Sequence, residues 1–310
     1  MHRSNGPTGR RDFLKTLAAL ALTPSMGTVA AAGSGPLIRK AIPGTKELVP
    51  IIGMGSWITL DVGSNTALRN DRLELLRTFF QMGGSILDSS PMYGSSQAVI
   101  GYCLARLDHT RHLFSATKVW TWSQSRGVEQ MEASKRLWGV ERFDLMQIHN
   151  LLDWQAHLET LLMDKAEGRV RYVGVTTSHG RRHEDMAKVM AEHPLDFVQL
   201  TYNILDRRAE RYLLPLAAER GQAVIANRPF RGGDLFDHFA RNPLPEWARE
   251  FDCANWAQFF LKFVVSHPAV TCAIPATSRV DHLRENMGAM HGPLPDQKTR
   301  ERMIRYIEGL

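Results

Sequence analysis

Several features that would define a class of protein are scarce in this chain of 310 residues. Three cysteines are too few for a disulfide framework, and no apolar run reaches the roughly 18 residues that span a bilayer. The net charge is +6, of which the first 32 residues carry +3, so the remainder is too weakly basic to indicate a nucleic-acid partner. Hydrophobic residues make up 44% and charged residues 23%, which excludes a disordered or collagen-like chain. We therefore expect a globular protein without stable membrane insertion.

The first 32 residues have the composition of a processing segment. Arg10 and Arg11 precede Asp-Phe-Leu-Lys, and an apolar run at residues 17–22 and alanines at 30–32 follow. A basic start, an apolar middle and an A-x-A-like end are typical of an export signal, and the paired arginines look like the twin-arginine type. A basic amphipathic helix that caps the domain is the alternative. We predict a signal peptide over residues 1–32, export by the twin-arginine machinery, to the periplasm in a Gram-negative cell, and a folded domain over residues 33–310.

Short apolar runs alternate with helical patterns beyond residue 45. The runs cover residues 49–54, 85–88, 113–118, 144–149, 172–176, 197–201, 223–226 and 270–274. Between them lie segments such as 70–82, which Asn70 is placed to cap, and 255–265. Continuous apolar strands separated by helices indicate parallel strands that are buried on both faces.

Eight such units favour a (β/α)₈ barrel over a doubly wound sheet. A doubly wound sheet that binds a dinucleotide would need a glycine-rich turn between strand and helix. The nearest candidate, Gly53-Met54-Gly55-Ser56-Trp57, lacks the third glycine. In a barrel the chemistry lies where the strands end, at their C-terminal edges.

Three successive predicted strands end in chemically useful side chains. They end in Asp88, Lys118 and His149, and Tyr93 follows the first of them in a Pro/Gly turn. Neighbouring strands are about 4.8 Å apart, so these side chains can converge. A lysine at the end of an apolar strand needs a carboxylate, for which Asp88 is the candidate. We expect the cation to lower the pKa of Tyr93 from about 10, and His149 to orient a carbonyl oxygen.

With these residues the sequence resembles the aldo/keto reductases, from about Gly53 to Asn286. The specific marks are Gly53-Met54-Gly55-Ser56-Trp57, Asp88-x4-Tyr93-Gly94, Lys118, His149, Gly174-Val175-Thr176-Thr177, and Glu285-Asn286 after Ile274-Pro275. The resemblance implies a catalytic tetrad of Asp88, Tyr93, Lys118 and His149. It also implies hydride transfer from NADPH, less often NADH, to an aldehyde or ketone, with Tyr93 as the proton donor.

The resemblance further implies a set of cofactor-binding residues. They are Thr176, Thr177, Gln199, Arg228, Thr277, Arg279, Glu285 and Asn286. The family often has a tyrosine that stacks on the nicotinamide where this chain has Asn227, and Arg228 and Phe230 are the candidates to replace it. Ala276 and His282 stand where a lysine and an arginine are expected beside the 2′-phosphate, which leaves Arg279 as the phosphate partner. We therefore favour NADP(H) over NAD(H).

Tryptophans and cysteines complete the assignments. Trp57, Trp120 and Trp122 follow strand ends, and an aromatic pocket of this kind suits a carbonyl substrate with a hydrophobic body. The three cysteines fit buried positions better than redox roles. We expect a monomer.

Two other functions compete with carbonyl reduction. A cofactor-binding sensor or accessory protein with little turnover, like the channel-associated members of the family, would fit the missing stacking ring. It would have no need of Tyr93 and Lys118 together. A metal-dependent hydrolase is disfavoured, because Asp88 and His149 lack further strand-end histidines to complete a metal site.

Overall fold

The computed structural model describes residues 35–108 and 110–310, so the predicted signal peptide lies outside the described residues. A short antiparallel hairpin comes first, formed by β1 (Arg39–Ala41) and β2 (Leu48–Pro50). Its Ile42 and Val49 are buried in one apolar cluster with Phe114 and Phe197, which are the first residues of their strands. The hairpin therefore fills the N-terminal end of the sheet that follows.

Within the described part of the chain, eight parallel strands form one sheet in chain order. They are β3 (Met54–Gly55), β4 (Ile86–Asp88), β5 (Phe114–Val119), β6 (Phe143–Ile148), β7 (Val170–Thr176), β8 (Phe197–Thr201), β9 (Ala223–Asn227) and β10 (Val270–Ala273). A parallel bridge between Ile52 and Ala273, and a 2.9 Å bond from the Gly53 N–H to the Ala273 carbonyl, join the last strand to the first. The predicted (β/α)₈ barrel is confirmed.

The first predicted strand, residues 49–54, is divided in the structure. Its beginning belongs to β2 of the hairpin, and only Met54 and Gly55 form β3 of the barrel. Pro50 has no N–H to donate to a ladder, which explains why β2 ends there. An apolar run that serves two sheets in succession cannot be divided from periodicity alone.

Helices follow each barrel strand along the chain and pack on the outer face of the barrel. They are α1 (Thr66–Gln81), α2 (Ser96–Leu104), α3 (Gln124–Trp138), α4 (Trp154–Ala166), α5 (His183–Glu192), α6 (Leu213–Glu219), α7 (Asp234–Phe239), α8 (Trp256–Val265), α9 (Val280–Gly288) and α10 (Gln297–Glu308). Short 3₁₀ turns cover His149–Leu151, Arg208–Arg211, Arg231–Gly233 and Glu246–Phe251. In the described residues no helix has both the length and the apolar character needed to cross a membrane.

The start of α1 differs from the prediction. Asn65, and not Asn70, is the N-cap, and its side chain accepts from the Leu68 N–H. Asn70 lies inside the helix and accepts from the Tyr102 hydroxyl of α2. Both asparagines suit a cap by chemistry, and the packing of α1 on α2 decided between them.

Two glycines are required by close contacts between strands. A Cβ on Gly53 would lie 2.9 Å from the Ile86 carbonyl oxygen, and one on Gly174 would lie 2.6 Å from the Phe197 carbonyl oxygen. Any larger residue would push the neighbouring strand away. These contacts hold β3 and β7 in the register that brings the strand ends to one rim.

Candidate active site

Lys118 and Asp88 form a sealed ion pair between neighbouring strands. Lys118 Nζ donates to Asp88 Oδ2 over 2.5 Å and to the Ser89 carbonyl over 2.8 Å. The lysine side chain is 0% exposed and the aspartate 2%. Burial lowers the pKa of Lys118, and the charge and hydrogen bond of Asp88 oppose that shift. The predicted pair between the two side chains is therefore present.

Two glutamines hold the other carboxylate oxygen of Asp88. Gln147 Nε2 donates to Asp88 Oδ1 over 3.1 Å and Gln199 Nε2 over 3.0 Å, and all three residues are buried. Gln147 was missed in the sequence reasoning. The available signal was that Gln147 is a polar side chain within the apolar strand β6. Such a side chain needs a hydrogen-bond partner, because an unpaired amide is costly to bury.

Tyr93 follows the pair in a tight turn and faces both Lys118 and His149. Lys118 Nζ lies 5.4 Å from the centroid of the tyrosine ring, and the rings of Tyr93 and His149 meet edge to face at 5.6 Å. Burial and the negative charge of Asp88 raise the pKa of Tyr93 above its usual value. The expectation that the pKa of Tyr93 is lowered is wrong, because burial, the largest cause, and the charge of Asp88 both raise it.

His149 is held in its neutral form. Its Nδ1 lies 2.8 Å from the Ser90 hydroxyl oxygen, and that oxygen accepts a hydrogen bond from the Met92 N–H over 3.2 Å. Burial and the charge of Lys118 lower the pKa of His149 to about 3. A neutral imidazole can donate a hydrogen bond to a carbonyl oxygen, but it offers no positive charge. Ser90 was not singled out in the sequence.

A cavity of about 470 Å³ opens above these residues at the C-terminal edge of the strands. Asp88, Tyr93 and His149 lie on its lining, and Lys118 lies beneath it against Asp88. Among the described residues, no group of three or more His, Cys, Asp or Glu side chains is placed to hold a metal ion. The cavity therefore presents a phenol, a neutral imidazole and a buried ion pair to whatever enters it.

Comparison with known proteins decides the family. The model of the aldo/keto reductase family matches residues 51–302. This chain belongs to the aldo/keto reductases. As a member of the family it is an NAD(P)-dependent oxidoreductase.

Its similarity to individual aldo/keto reductases is low but extends over most of the chain. It is 24% identical over 247 residues to the methylglyoxal reductase YeaE of Escherichia coli, covering 78% of this chain and 86% of that protein. It is 24% identical over 251 residues to an NADH-specific methylglyoxal reductase of the same organism, covering 68% and 73%. Among solved structures, an aldo-keto reductase of Klebsiella pneumoniae in complex with NADP and acetate matches with a TM-score of 0.71 at 23% identity, covering 85% of this chain and 93% of the other.

The predicted cofactor residues of this reductase divide into those that line the cavity and those that do not. Thr176, Thr177, Gln199 and Arg228 line it. Thr277, Arg279, Glu285 and Asn286 lie beyond it, in the turn before α9 and in α9 itself, whereas Ala276 and His282 do line it. The sequence resemblance thus placed half of its cofactor set at the cavity.

The threonine hydroxyls and Asn227 are already engaged within the protein. Thr176 Oγ1 accepts from the Asn150 N–H over 2.9 Å, and Thr177 Oγ1 donates to Met186 Sδ. Asn227 Nδ2 donates to the Thr177 carbonyl over 2.9 Å, and its Oδ1 accepts from Thr201. Asn227 of β9 is therefore bonded to Thr201 of β8 and to Thr177, the residue after β7, at the position where the resemblance implies a stacking ring.

Arg228 and Phe230 both reach the cavity. Phe230 packs edge to face on Phe236, with ring centroids 4.8 Å apart, and Phe236 also lines the cavity. Arg228 has φ of 51°, and burial lowers the pKa of its guanidinium. Its side chain donates only to the Arg231 carbonyl, at 3.4 Å, among the bonds of the described residues. A half-buried cation on the cavity wall suits an anionic ligand.

Arg279 is paired within the protein. Its guanidinium binds the carboxylate of Asp281 through two nitrogens, and both side chains are exposed. The hydrogen bonds from Arg279 lower the pKa of Asp281. The predicted phosphate partner therefore has a competing acid two residues away.

The three predicted pocket tryptophans lie in different surroundings. Trp57 lines the cavity, and the ring of Trp120 lies 6.4 Å from that of His149. Trp122 is 66% exposed and is not part of the lining. The cysteines Cys103, Cys253 and Cys272 are buried and unpaired in the described residues, as expected.

Proposed function

We propose that this reductase reduces aldehydes or ketones with a bound nicotinamide dinucleotide, and that Tyr93 donates the proton. The observation that carries the proposal is the convergence of Tyr93, His149 and the Lys118–Asp88 pair on the floor of one cavity. The E. coli relatives are named methylglyoxal reductases, and both are similar to this chain over most of its length. Their activity supports small carbonyl compounds as a substrate class.

The donor set of the cavity fits a dinucleotide. Arg228, His179 and His282 line one side and offer a cation and imidazole groups to a pyrophosphate. Gly232 and Gly233 line the same side, with φ of 81° and 112°, and leave room for a close approach of ligand to backbone. Gln199 would hold the carboxamide from below. When bound, the nicotinamide supplies the hydride.

Side chains of the protein supply the proton and stabilise the charge that its transfer leaves behind. The phenol of Tyr93, whose ordinary pKa of about 10 is raised further by burial and by Asp88, is protonated at neutral pH and can donate. As the carbonyl carbon gains a hydride, its oxygen takes the phenolic proton, and Lys118 stabilises the negative charge that develops on the tyrosine. With the Ser90 hydroxyl donating to Nδ1 of His149, the Nε2 of His149 carries a hydrogen that orients the carbonyl oxygen.

NADP(H) is the cofactor that we propose in preference to NAD(H). Structures of relatives from Klebsiella pneumoniae contain NADP and NADPH. In this chain Arg279 and His282 are the side chains available to a 2′-phosphate, and Arg279 would have to exchange Asp281 for it. Comparing kcat/KM for NADPH and NADH tests this preference, and a higher value for NADH would contradict it.

We also propose export by the twin-arginine machinery, to the periplasm of a Gram-negative cell, and action as a monomer. The paired Arg10 and Arg11, the apolar run and the small residues at 30–32 support export. Replacing Arg10-Arg11 by Lys-Lys should abolish export of the folded protein. Export that persists would contradict the twin-arginine assignment, and a dimer in sedimentation would contradict the monomer.

The decisive experiment compares Tyr93→Phe with a matched tyrosine variant. We expect Tyr93→Phe to lose about 10²–10⁴ in kcat for methylglyoxal while nucleotide binding, measured by fluorescence titration, stays close to wild type. Tyr102→Phe, in helix α2, is the control and should keep full activity. Full turnover by Tyr93→Phe would contradict the assignment. Tight nucleotide binding without turnover in the wild type would favour the cofactor-binding sensor. That hypothesis also fits the absence of a stacking ring at Asn227, whose side chain is hydrogen-bonded within the protein.

A further inference from the structure

Two consecutive residues after β6 adopt left-handed backbone conformations. Asn150 has φ of 54° and ψ of 29°, and Leu151 has φ of 54°. This region is unfavourable for a bulky residue such as leucine. His149 comes directly before the two residues, and Asn150 itself lines the cavity. The backbone that carries the imidazole into the site is therefore strained, and such a conformation persists only where surrounding groups hold it.

The side chain of Arg182 holds this strained segment from the neighbouring loop, between β7 and α5. Its Nη1 donates to the Asn150 carbonyl over 2.9 Å and to the Leu151 carbonyl over 3.0 Å. Hydrogen bonds from a charged donor are roughly twice as strong as those between neutral groups. One guanidinium nitrogen therefore fixes the carbonyls of both strained residues.

Arg182 is itself fixed at the start of α5. Its φ is 57°, and its Nε donates to the carboxylate of Asp185, in the first turn of that helix, over 3.1 Å. The arginine side chain is 43% exposed and lies outside the cavity lining. Arg182 therefore acts on the cavity through the backbone of its neighbours and not by contact with a ligand.

The other bonds around His149 do not replace those from Arg182. The Asn150 N–H donates to Thr176 Oγ1 over 2.9 Å, which holds the segment from β7 at a donor and not at a carbonyl. The Ser90 hydroxyl holds the imidazole at Nδ1. Without Arg182, the ring keeps this bond, whereas the backbone behind it loses the two bonds that oppose relaxation of its left-handed angles.

We propose that Arg182 is a positioning residue for carbonyl reduction, which sets the direction of the His149 imidazole by holding the strained segment behind it. This inference rests on the proposed function, in which His149 orients the carbonyl oxygen. When the guanidinium is removed, Asn150 and Leu151 relax and the imidazole moves from its place beside the substrate. A displacement of about 1 Å at a catalytic group can lower a rate by about 10².

The test measures kcat and KM for methylglyoxal in the full chain, at saturation with whichever of NADPH and NADH the wild type uses. We expect Arg182→Ala to lower kcat/KM about tenfold to a hundredfold, while the dissociation constant of the nucleotide changes less than about twofold. Arg182→Lys keeps a cationic donor for the two carbonyls and should recover most of the loss.

Arg181→Ala is the matched control. It removes the same charge from the same loop, and its side chain is also exposed, but the bonds to Asn150 and Leu151 come from Arg182. This variant should keep the wild-type kcat/KM. A control of this kind separates the two hydrogen bonds from a general effect of positive charge near the cavity.

A second measurement reports on the imidazole without turnover. In NMR spectra of the histidine rings, the signal of His149 is assigned by its absence in His149→Gln. We expect this signal to shift in Arg182→Ala and to keep its position in Arg181→Ala, because only the first variant releases the segment behind the ring.

The outcomes separate this inference from the function on which it rests. A wild-type kcat/KM in Arg182→Ala, an equal loss in Arg181→Ala, or an unshifted His149 signal would overturn the positioning role. A loss of nucleotide binding in parallel with kcat/KM would also overturn it, since it would indicate general disruption of the site. If the wild type reduces no carbonyl compound with either nucleotide, the proposed function fails, and the His149 signal still decides whether Arg182 positions the imidazole.

Discussion

The two ends of the barrel use charge and backbone conformation in opposite ways. At the N-terminal end Arg171 pairs with Asp144 and Glu47, and Tyr172 donates to Glu47 over 2.8 Å. These side chains are partly exposed and lie against the hairpin. At the C-terminal end the pair of Lys118 with Asp88 is fully buried, and the groups around it face a cavity. The hairpin closes the N-terminal end of the barrel, whereas the C-terminal end opens onto the cavity.

Backbone strain follows the same division. In the described residues, nine of the ten non-glycine residues with positive φ follow the C-terminal ends of barrel strands, and Asp252 is the exception. The nine are Ile58, Ser123, Asn150, Leu151, Asp153, His179, Arg182, Arg228 and Arg231. Conformations of this kind persist only where the surrounding structure holds them. Backbone strain is therefore concentrated at the C-terminal end of the barrel, which carries the cavity.

The largest effect should come from breaking the sealed pair. Lys118→Met leaves Asp88 buried without its cation, and we expect a loss of about 3–5 kcal/mol in the free energy of unfolding, together with loss of activity. The double variant Asp88→Asn/Lys118→Met removes both charges and should recover part of that stability. Denaturant unfolding measures both. Equal stability of the single and double variants would show that the two side chains do not act as a pair.

Acid should destabilise the C-terminal end through His149. Its pKa is about 3 in the folded protein and about 6.5 when unfolded, so the unfolded chain binds more protons between these values. Stability is therefore complete above about pH 6.5 and is lost as the pH falls, by about 2 kcal/mol between pH 7 and pH 5. His149→Gln should lose less over this interval, and the control His112→Gln, which changes an exposed histidine, should match the wild type. Identical pH profiles for all three proteins would argue against this origin.

Breaking the pairs at the closed end should affect stability alone. Arg171→Met leaves Glu47 and Asp144 without their shared cation, but these side chains are partly exposed. Solvent screens such charges, so we expect a loss of about 1 kcal/mol in the free energy of unfolding. Values of kcat and KM should stay unchanged. A fall in kcat would mean that the two ends are coupled, and would weaken the comparison.

The smallest effect concerns the exposed pair beside the predicted phosphate site. Asp281→Asn releases Arg279, and we expect kcat/KM for NADPH relative to NADH to rise about twofold to fivefold. Glu301→Gln, which changes an acidic residue on α10, is the control. No change in the ratio would remove Arg279 from the cofactor site.

Strand ends were predictable from the sequence because two local signals coincide there. An apolar run that stops at a charged or polar residue marks the end of a buried parallel strand. Asp88 is the last residue of β4, Lys118 is the last but one residue of β5, and His149 directly follows β6. Parallel topology then brings all C-terminal ends to one edge. The ion pair between Asp88 and Lys118 followed from the cost of burying a lone lysine.

Other features depended on contacts that no local signal specifies. Ser90 and Gln147 are ordinary polar residues until the fold brings them against His149 and Asp88. Arg279 is a different case, because Asp281, which accepts its hydrogen bond, lies only two residues along the chain, and this competition for the guanidinium could have been expected from the sequence.

The sequence alone determined the barrel class, the order of its units and the residue types at the strand ends, because periodicity and the termination of apolar runs are local properties of the chain. Only the tertiary structure decided the direction of the pKa shift of Tyr93, since burial and the charge of Asp88 act through space and outweigh the lysine that Asp88 already compensates. It also decided that Ile58 stands strained and exposed at the cavity mouth, because the bonds that hold its loop come from α1 and α2.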